Sequence, residues 1–444
     1  MIKRLLVVFI TILAISADAQ QQGTASPYSF YGIGSLKFRG TVENQSMGGL
    51  SIYTDSIHVN LRNPASYGGL NLSSLNNEAR FVKFTVGGSH NSTDLKSNES
   101  SDETTTTSFD YLAISIPVGK FGFGFGILPF TSVGYKLENN NPNGDLGNRF
   151  SGDGGVNKVF LGTGYQITDE LSVGVNIDYN FGKIENRAIE FVYDNDGNLL
   201  QFQSRQSDIS DLSGLSFNLG LTYKKMLNDK LELVSGLTYS PESKLASSND
   251  RQFASVAVGG FGQETVINTI DGNPNLEANG LRETDLTLPS RFSFGAGIGQ
   301  PRKWFVGAEY VAQNTGDFSN PLLDNTSNAT SFENASTFSL GGFYIPNYNS
   351  LTGYFKRVVY RAGVRFENTG LKINDESINE FGMSFGVGLP VGRSLFGRVI
   401  SNANLGFEIG RRGTTSANLV QEDFVNFQIS LSLNDRWFQK RKYD

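Results

Sequence analysis

Residues able to do chemistry are sparse in this chain and badly spaced for it. His58 and His90 are the only histidines, and none of the 444 residues is cysteine. A nucleophilic triad needs a His oriented by a carboxylate beside a Ser or Cys, and a transition-metal site needs His or Cys ligands. Neither set can be assembled from two distant histidines. The run Asp194-Asn195-Asp196-Gly197-Asn198 opens like a calcium loop but lacks the downstream Glu that would close it. With Phe191-Val192-Tyr193 before it and Leu199-Leu200 after, Asp196-Gly197 reads as a hairpin tip. Asp102 and Glu103 lie in a polar stretch and read as solvated. These residues predict a protein that is not an enzyme and holds no cofactor. A formal charge of −6 with no basic stripe before the extreme C-terminus also argues against nucleic acid as a partner.

The elements that would carry such residues are strands. Lys3 and Arg4 precede an apolar run from Leu5 to Ile15, and Ala17-Asp18-Ala19 follows, which predicts a cleaved secretory signal over residues 1–19. Beyond it no stretch approaches the roughly 20 consecutive apolar residues of a spanning helix. The chain is nonetheless 12% aromatic, with 34 Phe, 17 Tyr and 51 Gly, at a mean hydropathy of −0.24. Period-two alternation reconciles these facts. Leu171, Val173, Val175, Ile177, Tyr179 and Phe181 alternate with Ser172, Gly174, Asn176, Asp178, Asn180 and Gly182, and Phe381 to Leu389 and Val425 to Leu433 repeat the pattern. One face is apolar and the other wet, as a lipid-facing barrel wall requires.

Counting such segments gives about fourteen, an even number, from 78–90 to 423–434. Short links at Gly119, Asp169, Asn228-Asp229 and Pro301-Arg302 alternate with polar stretches at 91–106, 136–154 and 241–287, read as long extracellular loops. The prediction is an all-β transmembrane antiparallel β-barrel of about fourteen strands over 78–434 with an N-terminal plug in the lumen, in the cell outer membrane of a Gram-negative bacterium. Residues 20–77 form that plug, the alternative being a disordered periplasmic arm, and 435–444 form a basic periplasmic tail. Trp437 and Phe438 fit an interfacial aromatic girdle.

Met47-Gly48-Gly49-Leu50, with Asp55 beyond it and then Asn63-Pro64-Ala65, resembles the N-terminal signature of the FadL-like outer-membrane transporters, in which a small-residue run precedes an Asn-Pro-Ala in the plug. The resemblance implies uptake of a hydrophobic ligand, released sideways through the wall beside a kinked third strand. Here Phe121, Phe123, Phe125 and Ile127 alternate with Gly122, Gly124 and Gly126, and Pro129 follows. Pro129 is the candidate kink of such a lateral gate, or else it sits above the sealed wall. Arg62 and Arg80 are candidates to meet a ligand carboxylate. No apolar ligand helix is recognisable, so a second reading stands beside transport. FadL-like barrels also serve as subunits of a BAM-type assembly or of the type IX secretion apparatus. The expected partners are therefore outer-membrane lipid and either a hydrophobic ligand or the proteins of such a complex.

Overall fold

The structure, a computed structural model, describes residues 23–55, 57–68, 81–259, 263–322, 330–393 and 400–435. The signal over 1–19, Arg80, Trp437, Phe438 and the tail after Asp435 lie outside the described residues. Fourteen antiparallel strands form a closed barrel. They are β1 Val82–Lys96, β2 Ser101–Val118, β3 Phe121–Pro129 continued as Thr131–Asn140, β4 Leu146–Gln166, β5 Leu171–Glu190 and β6 Gln203–Met226. β7 is Glu232–Ser240 continued as Ser243–Val258, and β8 is Arg291–Gln300, preceded by the outer piece Glu283–Leu288. β9 Trp304–Gln313, β10 Ala335–Tyr344, β11 Val359–Ile373, β12 Glu376–Arg393, β13 Ile400–Arg412 and β14 Gln421–Asp435 complete the wall. β14 pairs with β1 from Val82↔Asp435 to Lys96↔Gln421, so the last strand closes on the first.

Alternation becomes radial direction. Phe121, Phe123 and Phe125 face outward, and the glycines between them are buried against the interior. The same outward set recurs at Ile177, Phe217, Phe294, Tyr310, Leu340, Phe385 and Phe427, all substantially exposed. These side chains form an apolar belt whose only favourable surroundings are lipid.

The stretches 91–106 and 136–154 are corrected by the structure. β1 runs to Lys96, β2 starts at Ser101 and β3 reaches Asn140, so only short turns are left between paired strands. Thr104–Thr107 keeps the ladder with β1 but is a run of one polar residue type, so it has no apolar face to alternate. The stretch 241–287 likewise holds the outer part of β7, a strand Glu264–Asp271 and a short helix Asn273–Ala278. Asp194 to Asn198 forms a tight turn, with Asp194 N donating to Asn198 O at 2.9 Å and Gly197 at φ 83°.

Candidate functional site: the plug and its seat in the wall

Residues 23–55 and 57–68 lie within the barrel. The plug comprises a 3-10 turn Pro27–Phe30, a short strand Ser35–Leu36, a helical turn α1 Val42–Gln45 and a second 3-10 turn Pro64–Tyr67. Each piece has a local cause. Thr41 and Asn44 form a capping box on α1, and Gly48 and Gly49 take φ 70° and 89° to turn the chain back beneath it. Asn63 caps the second turn by accepting from Ala65 N at 3.0 Å, while Pro64 stands at its first position, where no N–H is needed.

The wall is carved to receive these turns. A Cβ on Gly122 would lie 1.6 Å from the Tyr67 carbonyl oxygen, one on Gly174 2.4 Å from the Pro64 carbonyl carbon, and one on Gly363 2.2 Å from that of Met47. Gly48 itself presses on the wall, its Cβ position 2.6 Å from Val364 O, while its N–H donates to Ser384 Oγ at 2.9 Å. Gly122, Gly174 and Gly363 are thus positions where plug backbone touches strand backbone. Met47, Gly48 and Gly49 sit against one side of the wall, and Asn63, Pro64 and Ala65 against β4, β5 and β6. Asn63 Nδ2 donates to Leu221 O at 3.0 Å and to Thr222 Oγ1 at 3.2 Å.

Buried charge fixes the seat. Glu309 of β9, almost wholly enclosed, accepts from Arg62 Nη2 at 2.8 Å and from Ser51 N at 2.7 Å. Arg62 also donates to Gly49 O, so its guanidinium is committed to the plug and leaves little for a ligand carboxylate. Glu43 of α1 accepts from Asn404 Nδ2 at 2.6 Å and Ser432 Oγ at 3.0 Å, which ties the helix to β13 and β14. Gln45 Nε2 donates to Glu408 Oε2 at 2.7 Å. His58 Nδ1 lies 2.7 Å from Asp55 Oδ2, and Lys83 of β1 donates to the Asp55 carbonyl at 2.7 Å and the His58 carbonyl at 3.0 Å. His58 Nε2 lies 3.5 Å from Glu43 Oε1, and these contacts hold a loop against α1 and β1.

At Pro129 the third strand breaks. The β2–β3 ladder ends at Leu112↔Ile127, and from Ser101 to Tyr111 β2 pairs with β1 alone among the described residues. The outer part of β3 turns inward, carrying Phe130 and Val133 into a buried cluster with Ile33, Val156 and Leu245. The plug occupies the edge of β3 so freed. Ser35 pairs with Ser132, Leu36 pairs with Thr131, and Lys37 N donates to Phe130 O at 3.1 Å. On the β3 side the slot is thus occupied by the protein's own chain, and a cavity of ≈ 140 Å³ lies between Ser35-Leu36 and Thr104 and Thr106 of β2.

Two cavities that share no lining residue lie along the plug, and a third, that of ≈ 140 Å³, meets the second of them at Ser35, Leu36 and Arg412. The first, of ≈ 630 Å³, lies at the short-turn end beside Tyr53, Asp55, His58, Arg302 and Tyr348. The second, of ≈ 150 Å³, lies between the plug and the outer strands beside Arg39, Phe130 and Arg291. Sequence reasoning missed Glu309, Glu43 and Arg39. A Glu or Asn on the wet face of a strand looks the same whether it meets water or a plug, so only the fold reveals its partner. Also missed was the link after β10, which exposes Leu351 at 85% and Phe355 at 74% beside Lys356 and Arg357 at the short-turn end.

Solved structures share this barrel. The toluene transporter TodX of Pseudomonas putida superposes with a TM-score of 0.55 at 15% identity, over 91% of this chain and 100% of that one. The toluene transporter TbuX of Ralstonia pickettii gives 0.54 at 16%, over 89% and 99%. A Pseudomonas aeruginosa FadL homologue gives 0.54 at 12%, over 91% and 100%. At such identities the likeness establishes a common FadL-like fold. No curated protein matches the sequence. The BamG family model, in contrast, matches residues 1–444, from one end of the chain to the other. The chain belongs to the BamG family.

Proposed function

We propose that this barrel is a non-transporting, non-enzymatic subunit of an outer-membrane protein assembly of the BAM type, in which wall and loops serve partners and the lumen stays shut. The seating of the plug carries this reading. The plug is joined to β9, β13 and β14 by buried hydrogen bonds, and its own strand pairs with the third strand at the break. A solute path through the lumen needs plug and wall to part, and a scaffold does not. Membership of the BamG family supports the same reading. Depletion of the protein should lower the folded fraction of other outer-membrane barrels, scored by heat-modifiable migration, before any hydrophobic nutrient becomes limiting. Unchanged barrel folding after full depletion would overturn it.

A second reading, uptake of hydrophobic small molecules, draws on the break at Pro129 and on the fold shared with the toluene transporters. On that reading the plug strand must leave the slot during transport. Uptake of labelled hydrocarbon that disappears on depletion, with barrel folding intact, would favour it.

A further inference from the structure

The outer part of β7 forms a hairpin with the strand Glu264–Asp271. Their ladder runs from Gln252↔Asp271 to Val258↔Glu264, and β7 is the only strand that pairs with Glu264–Asp271 among the described residues. The two ends of the ladder fix its phase. Gly272 N donates to Arg251 O at 2.9 Å and Gly259 N to Gln263 O at 2.8 Å, so Arg251 with Gly272 and Gly259 with Gln263 are hydrogen-bonded pairs. Antiparallel strands alternate such pairs with non-bonded ones, and the register shifts once, where Ile267 is the extra residue between Ser255 and Val256. Counted inward from both ends, the N–H and C=O groups of Glu264, Val266, Thr269 and Asp271 point away from β7. They form a free edge.

Sheet edges are ordinarily blunted by Lys, Pro or a covering loop. This strand has neither Lys nor Pro, and all 8 of its residues are exposed, with Val266 at 45%, Ile267 at 52% and Ile270 at 63%. Those apolar residues do not belong to the belt. The stretch of β6 paired with this part of β7, Gln203 to Ser213, carries Arg205, Asp208 and Asp211 and meets water. The surroundings are also acidic. Between Gln263 and Asp285 stand Glu264, Asp271, Glu277, Glu283 and Asp285 against the single cation Arg282, which is paired with Asp250. Arg251 is taken by Asp208 at 2.6 Å, Arg205 meets Glu264 at 3.1 Å and Lys244 lies 3.7 Å from Asp285. A second copy of the strand is a poor occupant, because full antiparallel self-pairing sets Glu264 against Asp271 at both ends.

We propose that the free edge of Glu264–Asp271 receives an extended segment of a partner protein at the outer face, added as a further strand, with apolar residues at alternate positions and basic residues at both ends. The outward backbone groups supply its hydrogen bonds, Val266, Ile267 and Ile270 its apolar contact, and the acidic surroundings its choice of charge. The proposal rests on the assembly reading only in taking the occupant to be a protein.

The test uses the full-length barrel in a neutral detergent and follows labelled octapeptides by fluorescence anisotropy. Lys-Thr-Val-Thr-Val-Thr-Val-Arg should bind saturably. The same peptide with Glu at both ends, the same peptide with Pro-Pro at its centre, and a copy of residues 264–271 should each bind more weakly by about tenfold or more. Val266→Pro with Thr269→Pro removes two outward N–H groups and no donor to β7, and should weaken the first peptide by about tenfold or more in a barrel that stays folded on a heat-modifiability gel. If those prolines disturb the hairpin, Ile267→Lys with Ile270→Lys keeps every backbone group and should weaken the same peptide through lost apolar contact and added positive charge. Equal binding of the Pro-Pro peptide would overturn strand addition, and equal binding of the Glu-ended peptide would overturn a basic partner. Equal binding of the copied strand would replace the partner by a second copy of this chain. Wild-type affinity in both folded variants would overturn the site. Absence of binding, with depletion still impairing the folding of other barrels, would remove the edge and leave the assembly reading in place.

Discussion

Glu309 and Arg62 illustrate how a residue's meaning in this protein depends on what faces it across the lumen. Both are enclosed, and removal of one leaves the other without its counter-charge, a change that typically costs about 3–5 kcal/mol. Arg62→Met should therefore loosen the plug, measured as protease cleavage within residues 23–68 of a barrel that stays folded on a heat-modifiability gel. Protection equal to wild type would show that Glu309 is satisfied by Ser51 alone. Gly122→Ala tests the seat on the other side. Its methyl would overlap the Tyr67 carbonyl, and overpacking of this kind costs about 1–3 kcal/mol, so the melting temperature should fall. Of the motif residues, Asn63 and Gly48 were legible as turn-formers because their chemistry is local. Glu43, Glu309 and Arg39 were not, since nothing near them in sequence names their partners.

At the scale of elements the strands were the most legible feature, because a belt facing lipid writes its period directly into the residues. β5, from Leu171 to Glu190, matches the alternation that marks it. The signal stops where lipid stops, which is why the outer ends of β1, β2 and β3 read as loops although their ladders continue. Pro129 marked a break in a strand, but not what lies beside it: Ser35–Leu36 has no sequence feature of a strand, and its pairing is dictated by the exposed edge of β3. This pairing makes a test of the two functional readings. The chain has no cysteine, and directly opposed residues on neighbouring antiparallel strands lie about 4.5–5.5 Å apart between Cα atoms, within reach of a disulfide. Ser35→Cys with Ser132→Cys should oxidise to one cross-link that locks the plug strand in the slot. The account predicts that locked barrels support assembly of other outer-membrane proteins at wild-type level. Loss of function on oxidation, restored by reductant, would mean that the slot has to open.

For the whole molecule, the outward surface and the interior serve different ends. The belt of Phe, Leu, Ile and Tyr commits the wall to lipid, and the glycine and serine positions behind it commit the lumen to the plug. What remains free to meet partners is the tall sheet beyond the belt, with β6 and β7 and the strand Glu264–Asp271, and the short-turn end with Leu351 and Phe355. Replacement of Leu351 and Phe355 by Ser should leave the barrel folded, since both are largely exposed, and should reduce the amount of partner or lipid retained at that end on mild extraction. Retention equal to wild type would remove that link as a contact.

The central claim is that this barrel works as a plugged member of a protein assembly, and its most direct test is purification of the full-length protein from outer membranes in mild detergent with protein mass spectrometry of what accompanies it. The account predicts components of the outer-membrane protein insertion machinery in stoichiometric amounts. A barrel that elutes without protein partners and carries a neutral hydrocarbon in its lumen would contradict it.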